Sequence, residues 1–328
     1  MKNTLAPFYS NEYLKPQPFS LMKKVALIVE KSINFSPCAY IRIILPCIEK
    51  YRYEQVVVKC INVDELEYFS PDLIITHRTA VGQDKLLFFL DYVEKKNIPY
   101  SYDLDDDLLS IGDSDHPEAN YYKNYRKVIS QLIIHANKVT VSTENLKLKL
   151  KSFRADILVV KNRLYSEIWS HNLNEPKNKI GRFNILYMGT TTHSNDLELI
   201  NEALRVIKRY HRNIVFNIIG VTDSRKGKGH LNFIEIPLFA RQSYPLFVWW
   251  LKSLGNFDLG LAPLIDNEFN YSKSGIKFLE YQALGIPVVA SKLAPYKDVI
   301  QEGVDGLLVE NNTRAWVDGI LRFYADGN

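Results

Sequence analysis

The stretch Asn270–Ser291, NYSKSGIKFLEYQALGIPVVAS, decides how the whole chain reads. Just before it, Leu259–Leu264 (LGLAPL) is an apolar run that meets a proline, which predicts a buried strand. Ser272 and Ser274 can each cap a helix start, because a hydroxyl accepts a backbone N–H that the first turn leaves over. Ile276, Phe278, Leu279, Ala283 and Leu284 recur at helical spacing and give a broad apolar face. Gly285 predicts the left-handed residue that closes the helix, and Pro287 forbids its continuation. Pro287–Ala290 (PVVA) then predicts a short buried strand.

The polar residues of this stretch suit an anionic ligand. Lys273 and Lys277 flank the helix start, where Ser274 and Gly275 present backbone N–H groups and the helix dipole already favours negative charge. Glu280 follows about 9 Å from Ser274, at roughly 1.5 Å per residue. A pyrophosphate at the helix start with a sugar hydroxyl near Glu280 fits this layout. The plain alternative is a surface helix with solvated Lys and Glu side chains.

The rest of the chain sets the frame. Its 328 residues predict two domains with ample core. Hydrophobic residues make up 46% and charged residues 24%, which excludes a disordered or fibrous chain. A net charge of +4 is too small to argue for nucleic acid, and no nucleic-acid-binding module accompanies it. Cys38, Cys47 and Cys60 form no CxxC pair and predict reduced thiols in a cytoplasmic protein. No run of 18 apolar residues is present, so no spanning helix is expected. Residues 1–22 are polar and proline-containing, without the apolar centre of a secretory signal, and predict an N-terminal extension.

Strands and helices alternate along the remainder. Strands are predicted at Lys24–Glu30, Gln55–Cys60, Pro71–Thr76, Pro99–Leu104, Lys138–Ser142 and Ile157–Lys161, with helical patterns between them. Ser170–Gly181 is polar without period and predicts a connection between domains. The alternation then restarts at Phe183–Met188 and continues through Ile214–Ile219, Phe233–Ile236, the opening stretch and Gly306–Val309. The reading is α/β, with two parallel-sheet domains, residues 23–170 and 171–328.

At Tyr187–Leu197 (YMGTTTHSNDL), Lys273–Ser291, Pro295–Tyr296 and EGVDGLLVENNTRAW the chain resembles the GT-B glycosyltransferases grouped in glycosyltransferase family 4 and its bacterial polysaccharide relatives. Weaker matches lie at Pro37–Arg42, at Tyr102–Asp107 (YDLDDD) and at VVKNRLY. The resemblance implies two Rossmann-like domains facing a cleft. The second would hold a nucleotide-diphosphate sugar and the first a glycan or lipid-linked glycan acceptor, as in O-antigen or capsule synthesis. It implies retention of configuration, no metal and no cofactor. Carried over, Glu280 is the second carboxylate of the family's Glu-x7-Glu motif and contacts the donor ribose. Gly189, with Thr190 beside it, brings backbone close to the diphosphate. The first motif glutamate would fall on Ser272, so this chain departs from the pattern there. Lys273 and Lys277, or Arg225, Lys226 and Lys228, are the sources of charge for the diphosphate. The helical pattern stops before the last helices that such folds send back to the first domain, so other domains of a longer protein are expected partners. A catalytically silent binding module and a nucleotide-sugar epimerase on the same fold are the alternative functions.

Other candidates follow from position. Asp103, Asp105, Asp106 and Asp107 close the fourth strand at the edge where open sheets bind ligands. Asp103 is the candidate base, and Asp105 with Arg42 and His77 the acceptor side. A metal site is the weaker reading of this cluster. His193 is a candidate catalytic residue, Lys273 another, and Asp196 is expected to cap the helix after it. Asn162 and Arg163 predict hinge residues. Between Tyr121 and Tyr165 ten Lys or Arg face two acids, with aromatics interleaved, so an anionic membrane surface is an expected partner, or else this is a solvated face.

Overall fold

The computed structural model describes residues 22–30, 36–112, 118–170, 181–190, 193–221, 229–255 and 257–326. Every strand expected from the apolar runs forms, with ends displaced by about two residues at most. In the first half these are β1 (Lys23–Ile28), β2 (Val56–Cys60), β3 (Leu73–His77), β4 (Tyr100–Leu104), β5 (Lys138–Val141) and β6 (Ile157–Val159). They make one parallel sheet in the order β2-β1-β3-β4-β5-β6. In the second half β7 (Phe183–Met188), β8 (Ile214–Ile219), β9 (Leu231–Ile234), β10 (Leu259–Ala262), β11 (Val288–Ser291) and β12 (Gly306–Val309) pair in the order β12-β11-β10-β7-β8-β9, again all parallel.

Alternating side chains bury both faces of each sheet. Ala26 and Ile28 join one core cluster, while Val25 and Leu27 join the cluster on the opposite face. Leu186 and Met188 likewise point away from Ile185 and Tyr187. Helices must cover both faces, which is why near-continuous apolar runs read as strands here. In each sheet the strand order reverses once, at β1/β3 and at β7/β10. Crevices at the carboxyl ends of strands beside such a reversal are where α/β folds take ligands.

The two halves pack directly. A helical segment runs from Pro37–Ala39 through a π-helical stretch, Tyr40–Ile44, into Leu45–Tyr51. It lays Tyr40, Ile41 and Leu45 against Trp169 and Tyr244 in the second half's core. On the other flank Thr143 Oγ1 donates to the Ser272 carbonyl at 2.8 Å and Asn145 Nδ2 to the Tyr271 carbonyl at 3.0 Å. The connection expected at 171–180 and the basic residues Arg225, Lys226 and Lys228 lie outside the described residues. No helix among the described residues is long and apolar enough to cross a membrane.

The opening stretch folds as read, except at its cap. The helix is Ile276–Ala283, its N-cap is Gly275, and no side chain caps it. Ser272 instead ends the short helix Glu268–Tyr271, and Ser274 bonds elsewhere. A Cβ on Gly275 would stand 2.5 Å from Val299 Cγ2 and 2.7 Å from the Pro295 carbonyl, so only glycine lets this helix start so close to the next turn. Gly285 closes the helix at φ 73°, as its position predicts.

Candidate functional site

The carboxyl ends of β7 and β10 and the start of helix Ile276–Ala283 converge on one crevice. The close approach of β7 and β8 needs glycine at the end of β8. Gly220 has φ 87°, and a Cβ on it would lie 2.1 Å from the Gly189 carbonyl. Gly189 is half-buried, with Tyr187 and His193 pressed against it, and Thr190 beside it is exposed. The chain then turns back through His193 N–H, which donates to the Thr190 carbonyl at 2.9 Å.

Lys277 is the central feature. Its ammonium lies 4.8 Å above the Tyr187 ring. The nitrogen is buried and has no hydrogen-bonding partner among the described residues. Burial pushes Lys277 down to about 8, against the pull of Asp196 and with repulsion from Lys273. Lys273 stands nearby with its ammonium over the Phe269 ring at 4.8 Å. A buried, unpaired ammonium is costly, and an anion placed against it repays the desolvation. One turn further, Glu280 accepts the Tyr244 hydroxyl at 2.8 Å. Burial raises its carboxyl to about 7, although Tyr244 and Lys277 both oppose the shift.

His193 completes the crevice. Its Nδ1 is 2.7 Å from Asp196 Oδ2, and the other Asp196 oxygen accepts the Ile265 N–H at 2.9 Å. Asp196 thus anchors the imidazole and the loop after β10, rather than capping its own helix. Burial, reinforced by Lys273 and Lys277, lowers His193 to about 4 despite Asp196. The imidazole is therefore neutral near pH 7. With Nδ1–H given to Asp196, Nε2 is left as an acceptor. The Tyr187 hydroxyl donates to the His193 carbonyl at 3.0 Å, so one ring positions the loop and supports Lys277.

The first-half candidates are arranged differently from expectation. Asp103 is 3% exposed and forms a fork with Arg42, from Nε at 3.0 Å and from a terminal nitrogen at 2.5 Å. Thr140 Oγ1 adds a third bond at 2.6 Å. A carboxylate committed in this way positions its neighbours and is a poor base, so the expectation for Asp103 is replaced. Arg42 is itself buried and does not face an acceptor. It reaches on to the Val160 carbonyl and to Asn162 Oδ1, 3.0 Å away, while Asn162 Nδ2 donates to Ser274 Oγ at 2.6 Å. This series joins β4 to the start of the helix in the second half, so Asn162 does fix the crossover.

His77 and Asp105 are likewise internal. His77 is fully buried, with Nε2 3.5 Å from Asp105 and 3.9 Å from Asp103. Asp105 also pairs with Arg78 at 3.5 Å. Burial would raise the Asp105 carboxyl, but Arg78 and His77 hold it well below the usual carboxylate range. Asp107 caps Leu108–Ile111 and pairs with Lys149 at 2.8 Å. None of these carboxylates is open to an acceptor, and no group of three or more His, Cys, Asp or Glu among the described residues is placed to hold a metal ion. Asp106 differs. Burial raises its carboxyl, and the Lys273 charge only partly offsets this. Tyr187 and Tyr244 are the site residues that sequence reasoning missed. Both read as apolar core, and only the fold brings them to Lys277 and Glu280.

The comparisons with known proteins concern the second half and the fold. Residues 182–326 match the family described as Glycosyl transferases group 1, which is less than half of the chain. The match lies wholly within the second half of the chain. No curated protein matches the sequence. Among solved structures, TarM superposes with a TM-score of 0.58 at 18% identity, covering 81% of this chain and 51% of TarM. A mutant of S. aureus TarM was solved in complex with Fondaparinux, alpha-GlcNAc-glycerol and UDP. An E. coli trehalose-6-phosphate structure bound with UDP-2-fluoro glucose gives a TM-score of 0.54 at 15% identity, covering 80% of this chain and 68% of the other. UDP-GlcNAc 2-epimerase from Neisseria meningitidis bound to UDP-GlcNAc gives 0.52 at 13% identity, covering 92% of this chain and 91% of its own. This chain spans about half the length of TarM. The fold is GT-B, two Rossmann-like domains face to face.

Proposed function

We propose that this chain is a glycosyltransferase that moves a sugar from a nucleotide-diphosphate sugar to a glycan acceptor. The observation that carries the reading is the buried Lys277 ammonium, without a hydrogen-bonding partner among the described residues, in the half of the chain that matches the Glycosyl transferases group 1 family. The diphosphate would sit against Lys277, Lys273 and the N–H groups of Ser274 and Gly275, with Glu280 on the ribose. In the reaction the bond from the sugar's anomeric carbon to phosphate oxygen breaks, and its electron pair stays on the leaving diphosphate. The lysines stabilise that developing charge. The acceptor hydroxyl oxygen bonds to the anomeric carbon, and its proton passes to the leaving phosphate oxygen. Because the leaving phosphate takes that proton, the acceptor attacks from the leaving-group face, which gives retention without a carboxylate nucleophile. It also suits a site where Asp103, Asp105 and Asp107 are already paired. His193 Nε2 would accept a hydroxyl of the donor sugar, and no cofactor enters this chemistry. Synthesis of a bacterial polysaccharide of O-antigen or capsule type is the context we propose for it.

The test is a thermal-shift screen of UDP-glucose, UDP-GlcNAc, GDP-mannose and dTDP-glucose, followed by transfer assays with the best binder. Donor at about a hundred times its Kd should stabilise the protein by about 2.7 kcal/mol. No shift with any of the four would sink the reading. The full-length similarity to the epimerase favours a second reading. That reading wins if the donor is converted to a new nucleotide sugar without any acceptor.

Donor affinity should depend on pH in a defined window. A ribose-bound Glu280 must be ionised, and below about pH 7 the free protein holds it protonated. A phosphate-bound Lys277 must be charged, and above about pH 8 the free protein holds it neutral. Affinity for UDP, measured by calorimetry, is therefore expected to peak between these values. It should fall up to about tenfold per pH unit on either side. A flat profile would remove both groups from the donor site.

A further inference from the structure

One series of hydrogen bonds crosses from the first half of the chain to the start of the helix Ile276–Ala283, and each bond in it has a single allowed direction. It begins at Asp103, whose two oxygens accept from Arg42 Nε at 3.0 Å and from one terminal nitrogen at 2.5 Å. That fork leaves the other terminal nitrogen, Nη1, to reach the Val160 carbonyl and the Asn162 side chain. A guanidinium has five donors and no acceptor. The Asn162 atom 3.0 Å from it is therefore the carbonyl oxygen, Oδ1. The two orientations of an amide have the same shape, and the hydrogen-bond network decides between them. Here Arg42 makes the decision.

The next step follows from the first. With Oδ1 turned to Arg42, the Asn162 NH2 group faces Ser274 Oγ at 2.6 Å. An amide nitrogen donates and does not accept. The Ser274 oxygen is thus the acceptor in this bond, and its own hydrogen has to point elsewhere. None of the described residues accepts that hydrogen. Ser274 is half-buried and directly precedes the N-cap Gly275, at a helix start that no side chain caps. Lys273 and Lys277 bring positive charge to the same turn. The Lys277 ammonium is buried without a hydrogen-bonding partner among the described residues. A hydroxyl obliged to donate and a buried cation without a partner both call for an anionic oxygen at this point.

We propose that Ser274 gives its hydroxyl hydrogen to an oxygen of the donor diphosphate, and that Asn162 is the positioning residue that holds the hydroxyl in this direction. The assignment rests on the reading of the second half as the donor site. A serine by itself is not selective, since a free hydroxyl rotates and accepts as readily as it donates. Fixed by Asn162, it offers a hydrogen only, which favours an anionic oxygen over the N–H of a competing ligand. The hydroxyl is oriented before the ligand arrives, so little rotational freedom is lost on binding. A residue of the crossover between the halves thereby belongs to the donor site. Asn162 acts through Ser274 and needs no contact with the ligand itself.

The test is calorimetric titration with UDP, GDP, dTDP and inorganic pyrophosphate. The probe that binds the parent protein most tightly is then used on the variants, and melting temperatures of the free variants check the fold. Ser274→Ala should weaken binding about tenfold or more, the usual effect of losing a hydrogen bond to a charged group. Asn162→Ala should weaken it only about threefold, because the released hydroxyl can still turn to the anion. Asn162→Asp has the same shape but can only accept, so the Ser274 hydrogen turns inward and the loss should reach that of Ser274→Ala. Part of this loss is repulsion between the new charge and the anion, and double variants measure it. In the Ser274→Ala background Asn162→Ala should cost nothing further and Asn162→Asp only about threefold, because the hydroxyl through which both act is gone. The proposal is overturned if Ser274→Ala binds like the parent, or if the Asn162 substitutions weaken binding as much in the Ser274→Ala background as in the parent. If Asn162→Asp does not fold, the Asn162→Ala pair decides alone. A nucleotide that binds the parent and Ser274→Ala equally removes the hydroxyl and keeps the donor site. Pyrophosphate binding that responds to Ser274→Ala, without binding of any nucleotide, keeps the oriented hydroxyl and removes the nucleotide-sugar reading. Binding of none of the four removes both.

Discussion

Replacing Lys277 with methionine is expected to stabilise the protein and nearly abolish transfer. The two effects have one cause. In the free protein the Lys277 ammonium is buried over the face of Tyr187, with no hydrogen-bonding partner among the described residues. Burial displaces it from 10.5 to about 8, which corresponds to roughly 3 kcal/mol at neutral pH, an order-of-magnitude upper figure. The sign follows from linkage. The folded state favours the neutral amine, so Lys277 costs nothing above its unfolded value of 10.5. The cost grows as pH falls towards about 8 and is constant below that. Methionine fills a similar volume without charge, so the melting temperature at pH 7 should rise by several degrees, and the gain should vanish at strongly alkaline pH. Transfer should fall about 100- to 1,000-fold, the usual effect of removing one preorganised partner from a developing oxyanion. The stabilisation by nucleotide sugar should shrink with it. A variant that melts lower than the parent and still binds donor would refute this account of Lys277.

How far such a site can be read in advance depends on the distance over which its contacts form. The helix Ile276–Ala283 and its glycine stop follow from local rules, and so does the expectation of an anion near Lys273 and Lys277. Most strands were visible because two-sided burial favours near-continuous apolar runs. The cap was misread, since serine at a helix start usually bonds to its own turn. Here Ser274 is taken by Asn162, and the Ser272 carbonyl by Thr143, both from the other half of the chain. The family pattern also places an acid where Ser272 stands. Ser272 is fully buried and its hydroxyl has no partner among the described residues, so a glutamate there would need a different neighbourhood. The acidic run Asp103–Asp107 shows the same limit. Its residues look alike in sequence, yet Arg42, Arg78 and Lys149 bind three of them, and only Asp106 is left towards Lys273. Tyr121 and Tyr125 were legible as a pair on a helix. The Tyr121 hydroxyl meets Thr79 Oγ1, just beyond β3, a contact that no local pattern shows.

Replacing Arg42 with methionine is expected to cost about 3–5 kcal/mol, because it strands a buried carboxylate. The Arg42 and Asp103 side chains are 3% and 4% exposed, and the pair sits where the π-helical stretch Tyr40–Ile44 faces the end of β4. Water cannot replace the lost guanidinium there, and Thr140, with His77 3.9 Å away, would be left beside the charge. A loss of this size is a large share of the 5–15 kcal/mol that typically keeps a domain folded. The double variant Arg42→Met/Asp103→Leu should recover most of the loss, since removing both charges leaves an apolar contact. Urea titrations of the two single variants and the double variant measure this coupling directly. Arg42→Lys should behave like a partial loss, because an ammonium cannot fork to both Asp103 oxygens while also reaching Asn162. Asn162→Ala should cost only about 1 kcal/mol, as it cuts the link to Ser274 and leaves the ion pair intact. If Arg42→Met proved no more costly than Asn162→Ala, the buried pair would not be what anchors β4 to the crossover. The tie from Asp103 through Arg42 and Asn162 to Ser274, at the start of the helix Ile276–Ala283, would then be a by-product of packing.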